Sequence, residues 1–193
     1  MDSKTAGAEA TKRAWLSDRL RRECEQNLDE RVERRMKVPH AGILPNAPFA
    51  PVWAECQNLF GDGHFFGAIS LSQSVAEALV RHLCRSNSWR PADKFETNVR
   101  KLRKRDLIDE KIQNHLLHIW EHRDDFHHLN DSVEGQRAAL EELALSKLRA
   151  LSELESWAFG HTFNAGRIVL SKAKYWRMHG KQRRADSAKS KAV

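Results

Sequence analysis

Four of the chain's five prolines fall in the fourteen residues VPHAGILPNAPFAP, positions 38–51. Proline lacks an amide hydrogen and pushes the residue before it out of helical geometry, so no continuous helix can cross this segment. Residues 39–51 are therefore read as an extended linker between two helical patterns of different kind. Before it, TKRAWLSDRLRRECEQNLDERVERRMKV contains neither Gly nor Pro and is dense in helix formers. That composition predicts a charged helical arm over residues 1–38. Its apolar positions Leu16, Leu20, Cys24, Leu28, Val32 and Met36 recur every four residues. Each step overshoots a helical turn by about 40°, so the stripe winds round the helix and suits wrapping against another surface better than a straight coiled coil.

After the linker the spacing becomes that of packed helices. VWAECQNLF reads as a short helix stopped by GDG. HFFGAISLSQSVAEALVRHLC then sets Phe65, Ile69, Ala76, Leu79 and Leu83 on one face, with alanines and serines that let a neighbour approach closely. Phe95, Val99 and Leu102 mark a third helix, and Ile108, Ile112, Leu116 and Ile119 a fourth. Leu140, Leu143, Leu148, Leu151, Leu154 and Ala158 mark a long fifth. No stretch shows strand alternation or a hairpin turn. The expected class is all-α: a bundle of four to five helices over residues 52–160, with the arm before it and a basic tail, 161–193, after it.

Charge supports that division. The chain carries +7, yet residues 39–160 hold 14 Lys and Arg against 17 Asp and Glu, while residues 161–193 hold 9 against 1. A basic tail attracts polyanions, nucleic acid above all. Within it, Tyr175, Trp176 and Arg177 interleave aromatic and basic character in a way that suits single-stranded RNA, or equally docking of the tail back onto the bundle. Lys101, Arg103, Lys104 and Arg105 form a second basic run, able to follow a phosphate backbone or to serve as a solvated helix end. Trp53, Trp89, Trp120 and Trp157 are expected to pack the bundle. No apolar run approaches the roughly 18 residues needed to span a bilayer, and no signal-peptide pattern is present, so a cytoplasmic protein without membrane contact is expected. Cys24, Cys56 and Cys84 are each placed as buried free thiols.

The densest chemistry lies in IWEHRDDFHHLND, residues 119–131. Three readings fit. Cationic groups favour a helix C-terminus, which His122, His127 and His128 could serve. His118 and His122, four apart, could ligate a metal, but the glutamate of a zinc-protease pattern is missing. Lastly, His128 can exchange protons near neutral pH, and Arg123 can hold a phosphoryl group as negative charge builds. Those parts suffice for RNA cleavage through the 2′-OH without metal or other cofactor. The spacing alone is weak: 20 arginines give about one Arg-to-His match by chance, and Arg35 to His40 is a second instance.

The helix order with Arg123-Asp124-Asp125-Phe126-His127-His128 resembles the HEPN superfamily of small helical domains, whose signature is Arg, a polar residue, three further residues, then His. The resemblance spans roughly residues 50–160. It implies a homodimer with the two motifs facing one another, and a metal-independent endoribonuclease acting as a toxin or defence effector, with a possible antitoxin or defence partner. On it, Arg123 would stabilise the phosphorane, His128 would be general acid or base, and Asp124 would orient the arginine, with His127 and Asn130 in support. Many members are instead non-catalytic interaction modules or scaffolds. One toxin subgroup has Tyr two residues after the His; here that position is Asn130.

Overall fold

The computed structural model describes residues 3–39, 47–127 and 137–177. The chain is mostly helical: α1 Ser3–Gln26, α2 Leu28–Lys37, α3 Ala50–Gly61, α4 Phe65–Ser86, α5 Phe95–Lys104, α6 Glu110–Trp120, α7 Arg123–His127 and α8 Arg137–Phe159. A hairpin follows, β1 His161–Asn164 and β2 Arg167–Leu170, and then a 3-10 turn at Ala173–Trp176.

Local chemistry explains the boundaries. Pro51 opens α3 where its missing amide costs nothing. The turn after α3 closes with Gly63 at φ 80°, a conformation glycine enters without steric cost. Asp109 caps α6, its Oδ1 accepting from the Ile112 amide at 2.8 Å.

α4 is the hub, packed against α3, α5, α6, α7 and α8. Ala68, Ser72 and Ala76 are fully buried on it, small enough for adjacent helices to approach. Around them Trp53, Phe60, Ile69, Leu83, Leu102, Leu116, Ile119, Leu148 and Leu154 are sealed from solvent. Each such side chain contributes about 1.5–3 kcal/mol.

The arm is not one helix. It breaks at Asn27, which leaves helical geometry at φ −108°, ψ 8°. Ion pairs and hydrogen bonds tie α2 to the body. Arg31 pairs with Asp62 at 2.6 Å, Arg35 donates to Asn58 Oδ1 at 3.2 Å, and Lys37 pairs with Glu141 at 2.9 Å. Nothing among the described residues covers the drifting stripe: Leu20 is 63% and Met36 74% exposed. Cys24, expected inside, is exposed for the same reason; Cys56 and Cys84 are buried, and burial pushes the Cys56 thiol up to about 12.

A second correction concerns residues 161–177, read above as the start of a basic tail without strands. His161 pairs with Leu170 and Asn164 with Arg167 in an antiparallel register. The turn is made by Ala165 and Gly166, both at positive φ (47° and 75°), the geometry that fits a two-residue hairpin. Alanine at positive φ is an uncommon choice, which is why the turn had no sequence signature. Beyond the hairpin the chain docks on the bundle. Tyr175 is 2% exposed, its carbonyl hydrogen-bonded to His82 Nε2 at 2.6 Å, and Lys172 donates to the Trp157 carbonyl at 2.8 Å. Tyr175 is thus a core residue and offers no face for stacking on RNA.

A carboxyl sits in this core without a partner among the described residues. Glu155 is 8% exposed and neither carboxylate oxygen has a hydrogen bond. It shares a small cavity with Phe49, Trp53, Val75, Leu79, Leu151 and Phe159. Burial pushes its carboxyl up to about 8, against an ordinary value of 4.5. Between those values the folded state holds a proton that the unfolded chain has released, so stability falls as pH rises through that window. Urea unfolding at pH 5 and pH 8 should show Glu155→Met gaining on the wild type at the higher pH, by about 1–3 kcal/mol. An identical gap at both pH values would show that the carboxyl is not titrating in the core.

Candidate functional site

The site begins where α6 stops. The last carbonyls of a helix have no partner within it. Here those of His118, Ile119 and Glu121 accept from a single ammonium, Lys147 Nζ of α8, at 2.8, 2.9 and 3.0 Å. Gln73 of α4 adds a fourth bond, its Nε2 donating to the Glu121 carbonyl at 3.2 Å. Lys147 is wholly buried. Burial pushes its ammonium down to about 8, and Glu121 opposes that shift. The lysine acts as a helix cap delivered from a neighbouring helix.

Clamped there, the chain turns sharply. Glu121 is extended in ψ (139°), His122 takes φ 59°, and α7 starts at Arg123. A helix running on from Trp120 through the motif, as the sequence suggested, is thereby replaced by a separate short helix. Phe126 anchors it, 4% exposed, with its ring 5.6 Å from Phe66.

The turn carries Arg123 back over Trp120, with the guanidinium 4.8 Å from the ring. Trp120 lies flat on Phe95 at 4.1 Å and 15°, and its Nε1 donates to Glu96 at 2.8 Å. Phe95, Trp120 and Arg123 thus form one ladder, a cation on two stacked rings. Arg123 reaches Asp124 Oδ1 only at 3.5 Å, and its Nε is buried with no partner among the described residues. Its side chain is 33% exposed. The guanidinium is therefore placed by stacking and keeps hydrogen-bonding capacity.

The ladder lines an open cleft of about 740 Å³. Its charge is unexpected. Glu77, Asp93, Glu96, Glu121, Asp124 and Asp125 line it against Lys94 and Arg123. Such a lining leaves room for one phosphate at Arg123 but repels a row of them. Asp124 is 83% exposed beside the arginine, and His127 is exposed at the end of α7. His128 and Asn130 lie outside the described residues.

The other sequence candidates are dispersed. Lys101 and Arg105 stack on Trp89 at 5.0 and 4.2 Å, Arg103 pairs with Asp106 at 3.3 Å, and Lys104 is exposed. This run lies at the far end of α5 from the cleft, about 12 Å along its axis. Trp176 is half-buried, its ring 6.0 Å from Phe159, while Arg177 is exposed. His118 and His122 do not converge. His118 Nε2 meets Ser146 Oγ at 3.0 Å, whereas His122 Nδ1 faces Asp125 at 3.3 Å. Among the described residues no three His, Cys, Asp or Glu side chains gather as a metal ion would require.

Lys147 and Gln73 escaped the sequence reading. Their signal was a polar residue at a core position: Lys147 lies beside Leu148 on the stripe that buries Ala144 and Leu151, and Gln73 among the small buried residues of α4. Compared with family models, with curated proteins and with solved structures, the chain matches none.

Lys147→Met keeps the volume but leaves the α6 carbonyls without their donor. A loss of about 3 kcal/mol is expected in urea unfolding, since orphaned buried acceptors cost about 1–3 kcal/mol each and some will recruit water. A loss below about 0.5 kcal/mol would show that the cap is not needed.

Proposed function

We propose that the cleft at the α6–α7 junction is the active site of a metal-independent endoribonuclease of HEPN type, working in the cytoplasm as a toxin or defence effector. The observation that carries this reading is Arg123, held over Trp120 at the wall of an open cleft with its side chain partly exposed, five residues before His128. In the reaction a ribose 2′-OH attacks the adjacent phosphorus, its proton passing to a base. The 5′-oxygen leaves with a proton from an acid, giving a 2′,3′-cyclic phosphate. His128 serves as acid or base, Arg123 meets the charge on the equatorial oxygens, and Asp124 steadies the guanidinium. No metal or other cofactor enters these steps.

The HEPN-type reading pairs two copies with their motifs facing, so that one phosphate meets two Arg123 side chains. The uncovered apolar residues of the arm, Leu16, Leu20, Leu28, Val32 and Met36, offer surface for such pairing. Strand binding beyond the scissile phosphate falls to basic residues outside the cleft, Lys101, Lys104 and Arg105 among them. Among the described residues no helix is long and apolar enough to cross a membrane.

The acidic lining of the cleft favours a second reading. Six carboxylates around an open cleft also suit a basic segment of a partner protein, and the domain would then be a non-catalytic interaction module, such as an antitoxin-like partner or a scaffold.

Purified protein incubated with RNA in EDTA separates the two. The enzyme reading expects cleavage that falls by about 100-fold or more in both Arg123→Ala and His128→Ala, each still folded. A folded wild type that leaves RNA intact would transfer the cleft to the interaction reading.

A further inference from the structure

A second cavity, of about 470 Å³, lies between α6 and α8. Its walls are His115 and His118 of α6 and Ser146, Arg149, Ser152 and Glu153 of α8, with Pro39 and Ala150 completing them. Two contacts fix the register of these helices: Lys111 pairs with Glu153 at 2.6 Å, and His118 Nε2 meets Ser146 Oγ at 3.0 Å. Residue numbers rise on one helix as they fall on the other, so the pair is antiparallel. The same register sets His115 opposite Arg149.

The chemistry there is polar and incompletely used. Arg149 is exposed and has neither ion pair nor hydrogen bond among the described residues. His115 Nε2 is shielded from water and has no partner. Glu153, the one carboxylate in the lining, is already engaged by Lys111, so the guanidinium stands uncompensated. The order Ser146–His118–Glu121 invites comparison with a nucleophilic triad, but the geometry argues otherwise. The Ser146 hydroxyl donates to the Leu143 carbonyl at 2.9 Å, and His118 Nδ1 is 3.7 Å from Glu121, beyond hydrogen-bond range. Inside a helix, moreover, the backbone amides are spent and cannot stabilise an oxyanion.

What remains is a pocket whose donors come from two facing helices. We propose that the α6–α8 groove binds the phosphoryl group of a small phosphomonoester, with Arg149 as its principal donor and, by rotation of their side chains, His115 and the Ser146 hydroxyl as the others. A planar carboxylate is satisfied by the guanidinium fork alone, whereas a phosphoryl group has three terminal oxygens and uses donors from several directions. A single arginine with Glu153 and Glu121 close by suits one phosphoryl group and excludes a nucleic-acid strand. The volume lies in the range of small-molecule sites. This site is separate from the Arg123 cleft and does not depend on the ribonuclease reading.

Calorimetric titration of the full chain tests it, with phenyl phosphate, inorganic phosphate and phenol as probes, on wild type, Arg149→Gln, His115→Asn and Arg123→Gln. Arg149 is exposed, so its replacement should leave the fold intact. Phenyl phosphate should bind the wild type, and phenol should not. Arg149→Gln and His115→Asn should each weaken phenyl phosphate by about ten-fold or more, in an Arg123→Gln background as well as in the otherwise wild-type chain, so that binding at the Arg123 cleft is set apart. Inorganic phosphate binding as tightly as the ester would identify the free anion as the ligand; weaker binding would identify the ester. No binding of either anion, or a loss confined to Arg123→Gln, would overturn the proposal.

Discussion

A buried ammonium at the end of a helix is the interaction on which the candidate site depends. Among the described residues Lys147 pairs with no carboxylate; its three donors are spent on the carbonyls of His118, Ile119 and Glu121. Taking a lysine out of water costs several kcal/mol unless its hydrogens find acceptors, and a helix C-terminus supplies acceptors already polarised negative by the aligned peptides. The arrangement solves two problems together, an unsatisfied helix end and a buried cation. It also has a geometric consequence. With Glu121 held by both Lys147 and Gln73, the backbone cannot continue the helix, and His122 reverses it at φ 59°. Arg123 is thereby delivered onto Trp120 and into the cleft.

Charge is laid out unevenly around that frame. The cleft at Arg123 is lined by carboxylates from α4, the α4–α5 connection, α5 and the α6–α7 turn. The α5 C-terminal run and Arg149 lie elsewhere. A chain of net charge +7 thus presents an acidic mouth at its motif, and residues 161–177 contribute nothing to that lining. An enzyme so built would grip RNA away from the scissile bond and hold one phosphate at the arginine. The same division explains why an interaction module is the competing reading.

Much of the helical layout could be read from spacing, because apolar residues three and four apart have few other uses. Ile112, Leu116 and Ile119, or Leu148, Leu151 and Leu154, fall inside as their periodicity requires. The break at Asn27 was hidden because asparagine is tolerated inside helices and nothing else interrupts the run. The hairpin was hidden because its strands are four residues long and its turn uses Ala165. At the site, Arg123 and Asp124 were legible as a motif. The acidity of their cleft was not, since Glu77, Asp93 and Glu96 join it only through the packing of α4 and α5 against α6 and α7. Lys147 was passed over because a lysine in an amphipathic helix normally faces water. Tyr175 stood between stacking on RNA and docking on the bundle because its basic neighbours suit an exposed segment as well as a docked one.

The most direct test of the account is chemical. A short RNA is cleaved by the protein in EDTA, and the same RNA is then offered with a single 2′-deoxy sugar on the 5′ side of the mapped bond. The account predicts a 2′,3′-cyclic phosphate end on the first substrate and an intact bond at that position in the second. Cleavage of the 2′-deoxy position at an undiminished rate would mean that the 2′-OH is not the nucleophile, and the roles given to Arg123 and His128 would fail with it.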